Sequence, residues 1–359
     1  MKTVYGDILE GGGQILRFTL PIAAITGTPI RIVRIRAKRP NPGLARQHMI
    51  SVESVARLSS AKLEGLRLGS QELTFIPGSI RGGRYDFDIG TAGSITLVLQ
   101  ALLPVMAFTR DYVEVTITGG TNNPMAPPID YLERILLPVL RMMGFDPRIE
   151  LLRRGFYPVG GGIVKASSTS IEGMLKPIRI VEFGYVKRIA GIAYSSRLPS
   201  HIVDRMVSTV EKLLSRRGYD IVLEKEILQP PNPRCAASPG CGVLLYAELS
   251  SGARIASDSL GVRGKPAEKV AEEAVKDLES QIEVAYPVDR HLADQLIIWM
   301  ALAGGESSIA TTELTLHTVT CIELAKRLLD VEFEVDGGEG KPSRITCRGI
   351  GLKAEKSPP

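Results

Sequence analysis

The sequence predicts an α+β protein: three repeated β/α units forming one large domain, with a small α/β domain inserted into it. Three observations predict this. One order of segments (Gly-rich turn, apolar helix, strand, Pro-containing loop, helix, strand pair) is written twice before residue 170. The pairs Asn41-Pro42 and Asn123-Pro124 fall in matching loops of the two copies, 82 residues apart. A stretch of about a hundred residues then breaks the order before a third copy resumes it.

In the first unit "EGGGQ" leads into the apolar helix "ILRFTLPIAAITG". The strand "PIRIVRIRA", the loop "KRPNPGL", the helix "ARQHMISVESVARLSS" and a hairpin through "LTFIPGSI" follow. The second unit repeats this with "IGTAGS", the helix "ITLVLQALLPVMAF", the strand "DYVEVTITG", the loop "GTNNPMAPP", the helix "IDYLERILLPVLRMMG" and paired strands through "GGGIVKAS". Each apolar helix carries a proline, Pro21 or Pro104, which kinks it or sits in its first turns. The third unit starts at "DRHLADQLIIWMALAGG". It continues with the strand "SSIATTELTL", the helix "TCIELAKRLL" and a hairpin through "RITCRGIG". Between units two and three the periodicities give strand 188–195, helix 200–214, strands 220–227 and 243–249, and helix 266–280. The domains are therefore drawn as 1–181 with 285–359 for the large one and 182–284 for the insert.

Bulk properties exclude some classes. With 359 residues, 44% hydrophobic and 23% charged, the chain is long enough for a large core. It has no run of about 18 uncharged apolar residues for a membrane span, and "MKTVYGDILEGGG" lacks the apolar core of a signal peptide. No membrane association and a cytoplasmic location are expected, and the composition leaves room for a homo-oligomer. The formal charge of +5 is mild. The stretch "RIVRIRAKRPNPGLAR" holds six basic residues and no acid. On a strand Arg34 and Arg36 share a face, which suits a phosphate-rich partner or a charged, guarded sheet edge. Four cysteines are too few for a disulfide framework, and Cys235 and Cys241 match no common zinc spacing, so they read as free thiols or, in a hyperthermophile, as a loop disulfide.

The chemistry centres on "TTELTLHTVTCIELAKRLL". Alternation through residues 312–317 puts Glu313, Thr315 and His317 on the polar face of a strand, and the helical pattern begins just after. An imidazole at a helix N-terminus stays neutral at pH 7, beside a place suited to phosphate. A histidine there is either structural or a nucleophile. "GGGQILR" lacks the P-loop lysine and hydroxyl. Its helix start still offers N–H groups to phosphate, or else packs tightly, and "GTAGS" and "HLADQ" occupy the same place in the other units. Glu10, just before the Gly run, is a magnesium ligand or a helix cap. Asp294 is a first-turn acid or a ligand contact. Gln100, in the most apolar helix, needs a partner: an internal hydrogen bond or a nucleotide's polar edge.

Seven motifs in order, "EGGGQILR", "KRPNPGLARQH", "RGGRYDFDIGTAGSITLVLQ", "GGTNNPMAPPIDY", "RRGFYPVGGG", "HLADQL" and "ELTLHT", make the chain similar to the RNA 3'-terminal phosphate cyclases. The resemblance implies a large domain of three enolpyruvyl-transferase-like repeats with an inserted domain. It also implies ATP-dependent conversion of RNA 3' ends to 2',3'-cyclic phosphodiesters, aided by a divalent metal, magnesium or manganese. By motif, His317 matches the histidine that becomes adenylylated, and Glu10 matches the metal-binding glutamate. Gln100 and His291, Leu292, Ala293, Asp294 and Gln295 match ATP contacts, with His291 standing where some members carry Tyr. Arg17, Arg39 and Arg46 match cations that meet phosphates. Two other readings use the same fold. A non-catalytic cyclase-like RNA-binding factor of ribosome maturation would lack His317, and an enolpyruvyl transferase would have no use for it as a nucleophile.

Overall fold

The computed structural model describes residues 1–354. Four mixed sheets of four strands each organise it. In the first, β1 (Lys2–Tyr5) pairs in parallel with β2 (Ile30–Val33), and the antiparallel pair β3 (Lys62–Glu64) and β4 (Leu73–Ile76) completes the order β1-β2-β4-β3. The second has β5 (Gly83–Asp88), β6 (Val113–Gly119), β7 (Arg148–Arg153) and β8 (Gly162–Ser168) in the order β5-β6-β8-β7, again with only the first pair parallel. Another sheet uses β9 (Arg179–Ile180), β14 (Gly304–Thr311), β15 (Phe333–Asp336) and β16 (Ser343–Ile350) in the order β9-β14-β16-β15, with the same senses. Between β9 and β14 the chain builds a sheet of different order, β11-β10-β12-β13, from β10 (Val186–Ser196), β11 (Ile221–Leu228), β12 (Gly240–Leu249) and β13 (Arg254–Leu260).

Helices cover the sheets. α1 (Gln14–Thr26), α3 (Ile95–Ala107) and α8 (Arg290–Leu302) are buried along most of their length because they are apolar nearly all round. α2 (Arg46–Leu58) and α9 (Leu316–Leu328) are amphipathic and bury one stripe, as do α6 (His201–Ser215) and α7 (Ala267–Val284), which cover the β10–β13 sheet. The face of that sheet under α6 and α7 has a buried cluster of its own, while the opposite face (Ile192, Tyr194, Leu244, Tyr246) packs into the main core. Pro21 and Pro104 lie well inside α1 and α3 rather than in their first turns. α4 (Ile129–Tyr131), a π turn (Leu132–Leu136) and α5 (Leu137–Met142) run on as one helix. Pro138 explains the π turn. It brings no N–H, and its ring pushes off the carbonyl four residues back. That carbonyl, of Arg134, instead accepts from Arg254 Nη1 at 2.7 Å. Among the described residues no helix is long and apolar enough to cross a membrane.

Two expectations need correction here. β2 ends at Val33, and Arg34 and Arg36 both take positive φ (55° and 52°), so they do not share a strand face. The bent chain brings the backbone of Ile35 against Gly6, where a Cβ would lie 2.7 Å from Ile35 Cα, so the approach needs a glycine. Arg34 meanwhile reaches Asp7 at 3.3 Å and stacks on Tyr5. His317 is not at a strand end either. β14 stops at Thr311, and His317 lies in the first turn of α9, capped by Thr315, whose hydroxyl accepts from Thr318 N at 3.1 Å. The alternation that suggested a strand comes from an irregular segment in which Leu314 is buried.

Candidate active site

The N-terminal turns of α1, α3, α8 and α9 open on one cavity of about 510 Å³. Gln14 and Arg17 come from α1, Leu97 and Gln100 from α3, and His291, Asp294 and Gln295 from α8, while α9 supplies His317. A further wall is made by the Asn123–Pro127 loop and by Asp258, Lys265 and Glu273 from the β13–α7 region. Helix N-termini expose unpaired N–H groups and the positive end of the dipole, so their convergence favours an anion.

His317 is positioned by Gln14. The amide oxygen of Gln14 lies 2.5 Å from His317 Nδ1, and its Nε2 donates to the carbonyl of His317 (3.2 Å) and to Cys321 Sγ (2.9 Å). Since Nε2 of Gln14 is committed as donor, its Oε1 accepts, and Nδ1 of the ring carries the proton. The other ring nitrogen, Nε2, keeps its lone pair. Partial burial lowers the His317 pKa, and Arg17, His291 and Arg39 lower it further, so the ring is neutral at pH 7.

Charges at the site are set by burial. Desolvation brings the Arg17 guanidinium down to about 10 against the pull of Asp294, and its Nε has no protein partner. Asp294 is pushed up to about 7 by burial, with Arg17 opposing. Gln295 donates to the carbonyl of His291 at 2.9 Å, which leaves its buried Oε1 without a partner. An unpartnered guanidinium N–H and an unpartnered amide oxygen, on two residues that line one cavity, mark a place prepared for a polar ligand. Asp289 caps α8 by accepting from the backbone N–H groups of His291 (3.0 Å) and Leu292 (2.9 Å), and it also receives Tyr131 Oη at 2.7 Å.

The other expected residues divide. Glu10 stands before α1; its Oε2 accepts from Gly12 N at 2.7 Å, its Oε1 is paired with Arg39, and its own N–H meets Thr320 Oγ1 at 3.4 Å. Glu10 and Arg39 are thus together beside the first turns of α1 and α9, outside the lining of the cavity. Arg46 sits at the start of α2 against Gly90 of the second Gly-rich turn, where a Cβ would meet its Nη2 at 2.8 Å. Leu292 and Ala293 face the core, because on a helix only every third or fourth residue shares the side occupied by His291, Asp294 and Gln295. The structure adds residues that sequence reading passed over. Gln14 is one. Another is His48, whose Nδ1 accepts from Ala45 N (3.1 Å) and whose ring covers Gly13 so closely that a Cβ there would lie 2.4 Å from it. Gln47 Oε1 accepts from Ser94 N at 3.1 Å and ties α2 to the second Gly-rich turn. The signal for both was "ARQH" at a helix start, with side chains able to cap neighbouring N–H groups.

Comparison with known proteins decides the family. The sequence pattern of the family described as RNA 3'-terminal phosphate cyclase matches residues 8–335. The chain belongs to that family. A relative from Hyperthermus butylicus, named RNA 3'-terminal phosphate cyclase, is 46% identical over 98% of this chain and 99% of its own length. Proteins of the same name from Desulfurococcus amylolyticus and Pyrococcus furiosus are 43% and 42% identical, each over at least 96% of this chain and 98% of their own. As a member of the cyclase family the chain is an enzyme.

Proposed function

We propose that the protein uses ATP to convert an RNA 3'-terminal phosphate into a 2',3'-cyclic phosphodiester, with His317 carrying AMP on the way. The observation that carries this reading is the hydrogen bond from His317 Nδ1 to Gln14 inside a cavity ringed by four helix N-termini. It leaves Nε2 as a free, neutral nucleophile where phosphate is favoured. In the first step Nε2 attacks the α-phosphorus and pyrophosphate leaves. An oxygen of the RNA 3'-phosphate then takes the adenylyl group from His317, giving an RNA–pp–A end. The neighbouring 2'-hydroxyl attacks the RNA phosphorus, AMP leaves, and the hydroxyl proton passes to solvent. The last step is intramolecular, which lowers its entropic cost. Arg17 balances charge on the phosphates, and Gln100 and Gln295 offer amide groups to the nucleotide.

No group of three or more His, Cys, Asp and Glu side chains among the described residues is arranged to hold a metal. Glu10 could serve a magnesium or manganese ion that arrives on triphosphate, for which one carboxylate with phosphate oxygens suffices, once its Oε1 exchanges Arg39 for the ion. Such an ion, held at Glu10, would draw charge from the pyrophosphate.

We further read residues 1–181 with 285–359 as one large domain of three repeats, like those of enolpyruvyl transferases, and 182–284 as an inserted domain. The recurring strand order of three sheets, and the different order and the helix-side cluster of the fourth, support this. The site works in the cytoplasm on RNA ends in this reading. Incubation of a 3'-phosphorylated oligoribonucleotide with ATP should give a cyclic end, and an oligonucleotide with a 2'-deoxy terminus should stop at RNA–pp–A. Cyclisation without ATP would refute the scheme.

A further inference from the structure

A second depression, of about 900 Å³, adjoins the site. It shares Pro124, Leu260 and Lys265 with the cavity that holds His317, so the two lie on either side of a common wall. One wall is the "GFYPVGGG" segment between β7 and β8; the other is the start of α6 and the Gly261–Pro266 loop before α7. Its surface mixes apolar groups with cations. Tyr157 is 73% exposed, and Val262 is 60% exposed. Arg205 is neutralised by Glu268 and Lys265 by Glu273, whereas Arg263 and His201 make no ion pair among the described residues.

The segment that presents Tyr157 is held on every side. Arg154 is fully buried; Nη1 and Nη2 donate to Asp130 at 2.8 and 2.9 Å, Nε pairs with Glu226 of β11, and the guanidinium lies 4.2 Å from the Tyr194 ring centre. Phe156 packs on Gly240, where a Cβ would meet the ring at 2.2 Å, and its carbonyl accepts from Ser238 Oγ at 2.9 Å. Gly160, at φ +70°, presses on Ala92 of the second Gly-rich turn, where a Cβ would come within 2.7 Å of Ala92 Cα. Anchored at both ends, the segment still exposes Tyr157, Pro158 and Val159 in succession. An uncovered aromatic side chain carried on a backbone anchored on both sides is a partly pre-organised platform.

We infer that this groove is the track for the RNA nucleotides that precede the reacting 3' end, with Tyr157 stacking on a base and Arg263 meeting a backbone phosphate. The inference rests on the function proposed above. A polymer whose end reacts at His317 must leave the cavity, and this groove borders it at Pro124, Leu260 and Lys265. Base stacking on an aromatic beside a cation is how proteins hold single strands without reading sequence. The inserted sheet and helices thereby gain a role: they form the far wall of the track, and Arg154 fixes them against the body so that the track is preformed.

The test measures binding of a 5'-fluorescent, 3'-phosphorylated oligoribonucleotide by anisotropy, with a nucleoside 3'-phosphate as competitor. Tyr157→Ala should weaken oligonucleotide binding about 5- to 100-fold and leave competition by the single nucleotide unchanged, while Tyr157→Phe should bind as the wild type does. Arg263→Ala should reduce the slope of log affinity against log salt by about 0.7, the amount for one phosphate on a single strand. Labelling of the protein by ATP alone, which needs no RNA, reports that each variant is folded and tests the proposed function separately. Unchanged affinity and salt slope in both variants would overturn the inference. So would a changed oligomeric state with RNA affinity intact, since the groove would then be a protein interface.

Discussion

Replacing Gln14 by Leu removes the acceptor for His317 Nδ1 and the donor to the His317 carbonyl while keeping a side chain of similar bulk in a buried place. The loss expected is that of one hydrogen bond to a ring that becomes positively charged as Nε2 bonds to phosphorus, about 1.5–3 kcal/mol. If the bond strengthens as charge develops, the adenylylation rate falls about 10- to 100-fold, since about 1.4 kcal/mol is tenfold in rate, with little change in the ATP concentration at half-saturation. A second variant checks the electrostatics. The nucleophile must be unprotonated, so the rate falls as pH drops through the His317 pKa. That pKa is lowered by burial and then by Arg17, His291 and Arg39, so the wild-type rate should hold to below the ordinary histidine range. Gln14→Glu places a carboxylate on Nδ1, raises the pKa, and should move the acid limb to higher pH. Single-turnover transfer from α-labelled ATP across a pH series measures both. A Leu variant with wild-type rate and pH profile would show that Gln14 does not position the ring.

Other outcomes follow from the same geometry. Glu10→Ala should slow adenylylation, with partial recovery at higher magnesium, measured by the same transfer; full rate at low magnesium would leave Glu10 as a helix cap only. Arg154→Leu strips the partner from buried Asp130 and should cost about 3–5 kcal/mol, read from the denaturant midpoint. His48 is held neutral down to about 3 by burial, with Arg36 and Arg17 adding to the effect. Its folded pKa lies below the unfolded one, so its contribution to stability is complete above pH 6.5 and is lost as pH falls below it, by roughly 3 kcal/mol at pH 4. His48→Asn keeps an acceptor for Ala45 N–H and should flatten that part of the stability–pH curve, measured by urea unfolding.

The three apolar helices were legible because their hydrophobic residues run nearly all round, and Gly-rich turns marked where α1 and α3 begin. The strands β1 and β5 in front of the two Gly-rich turns, and β9 before the β10–β13 sheet, were not. β1 and β9 are four and two residues long, and β5, "GRYDFD", exposes most of its side chains, so neither period nor propensity marks them. The turn at Arg34–Arg36 looked like strand because nothing local signals that Gly6, far back in the chain, leaves room for a bent backbone at Ile35. His317 was legible as an imidazole at a helix start. Its partner was not, because Gln14 lies 303 positions away and meets it only when α1 and α9 pack together. Within "HLADQ", the helical period separates His291, Asp294 and Gln295 from the core-facing Leu292 and Ala293.

The central claim is that His317 Nε2 carries AMP. Incubation with α-labelled ATP and magnesium, without RNA, followed by peptide mapping tests it most directly. The account predicts one acid-labile label per chain, on the peptide holding His317, and none in His317→Ala. Label retained by His317→Ala, or mapped to another residue, would contradict it.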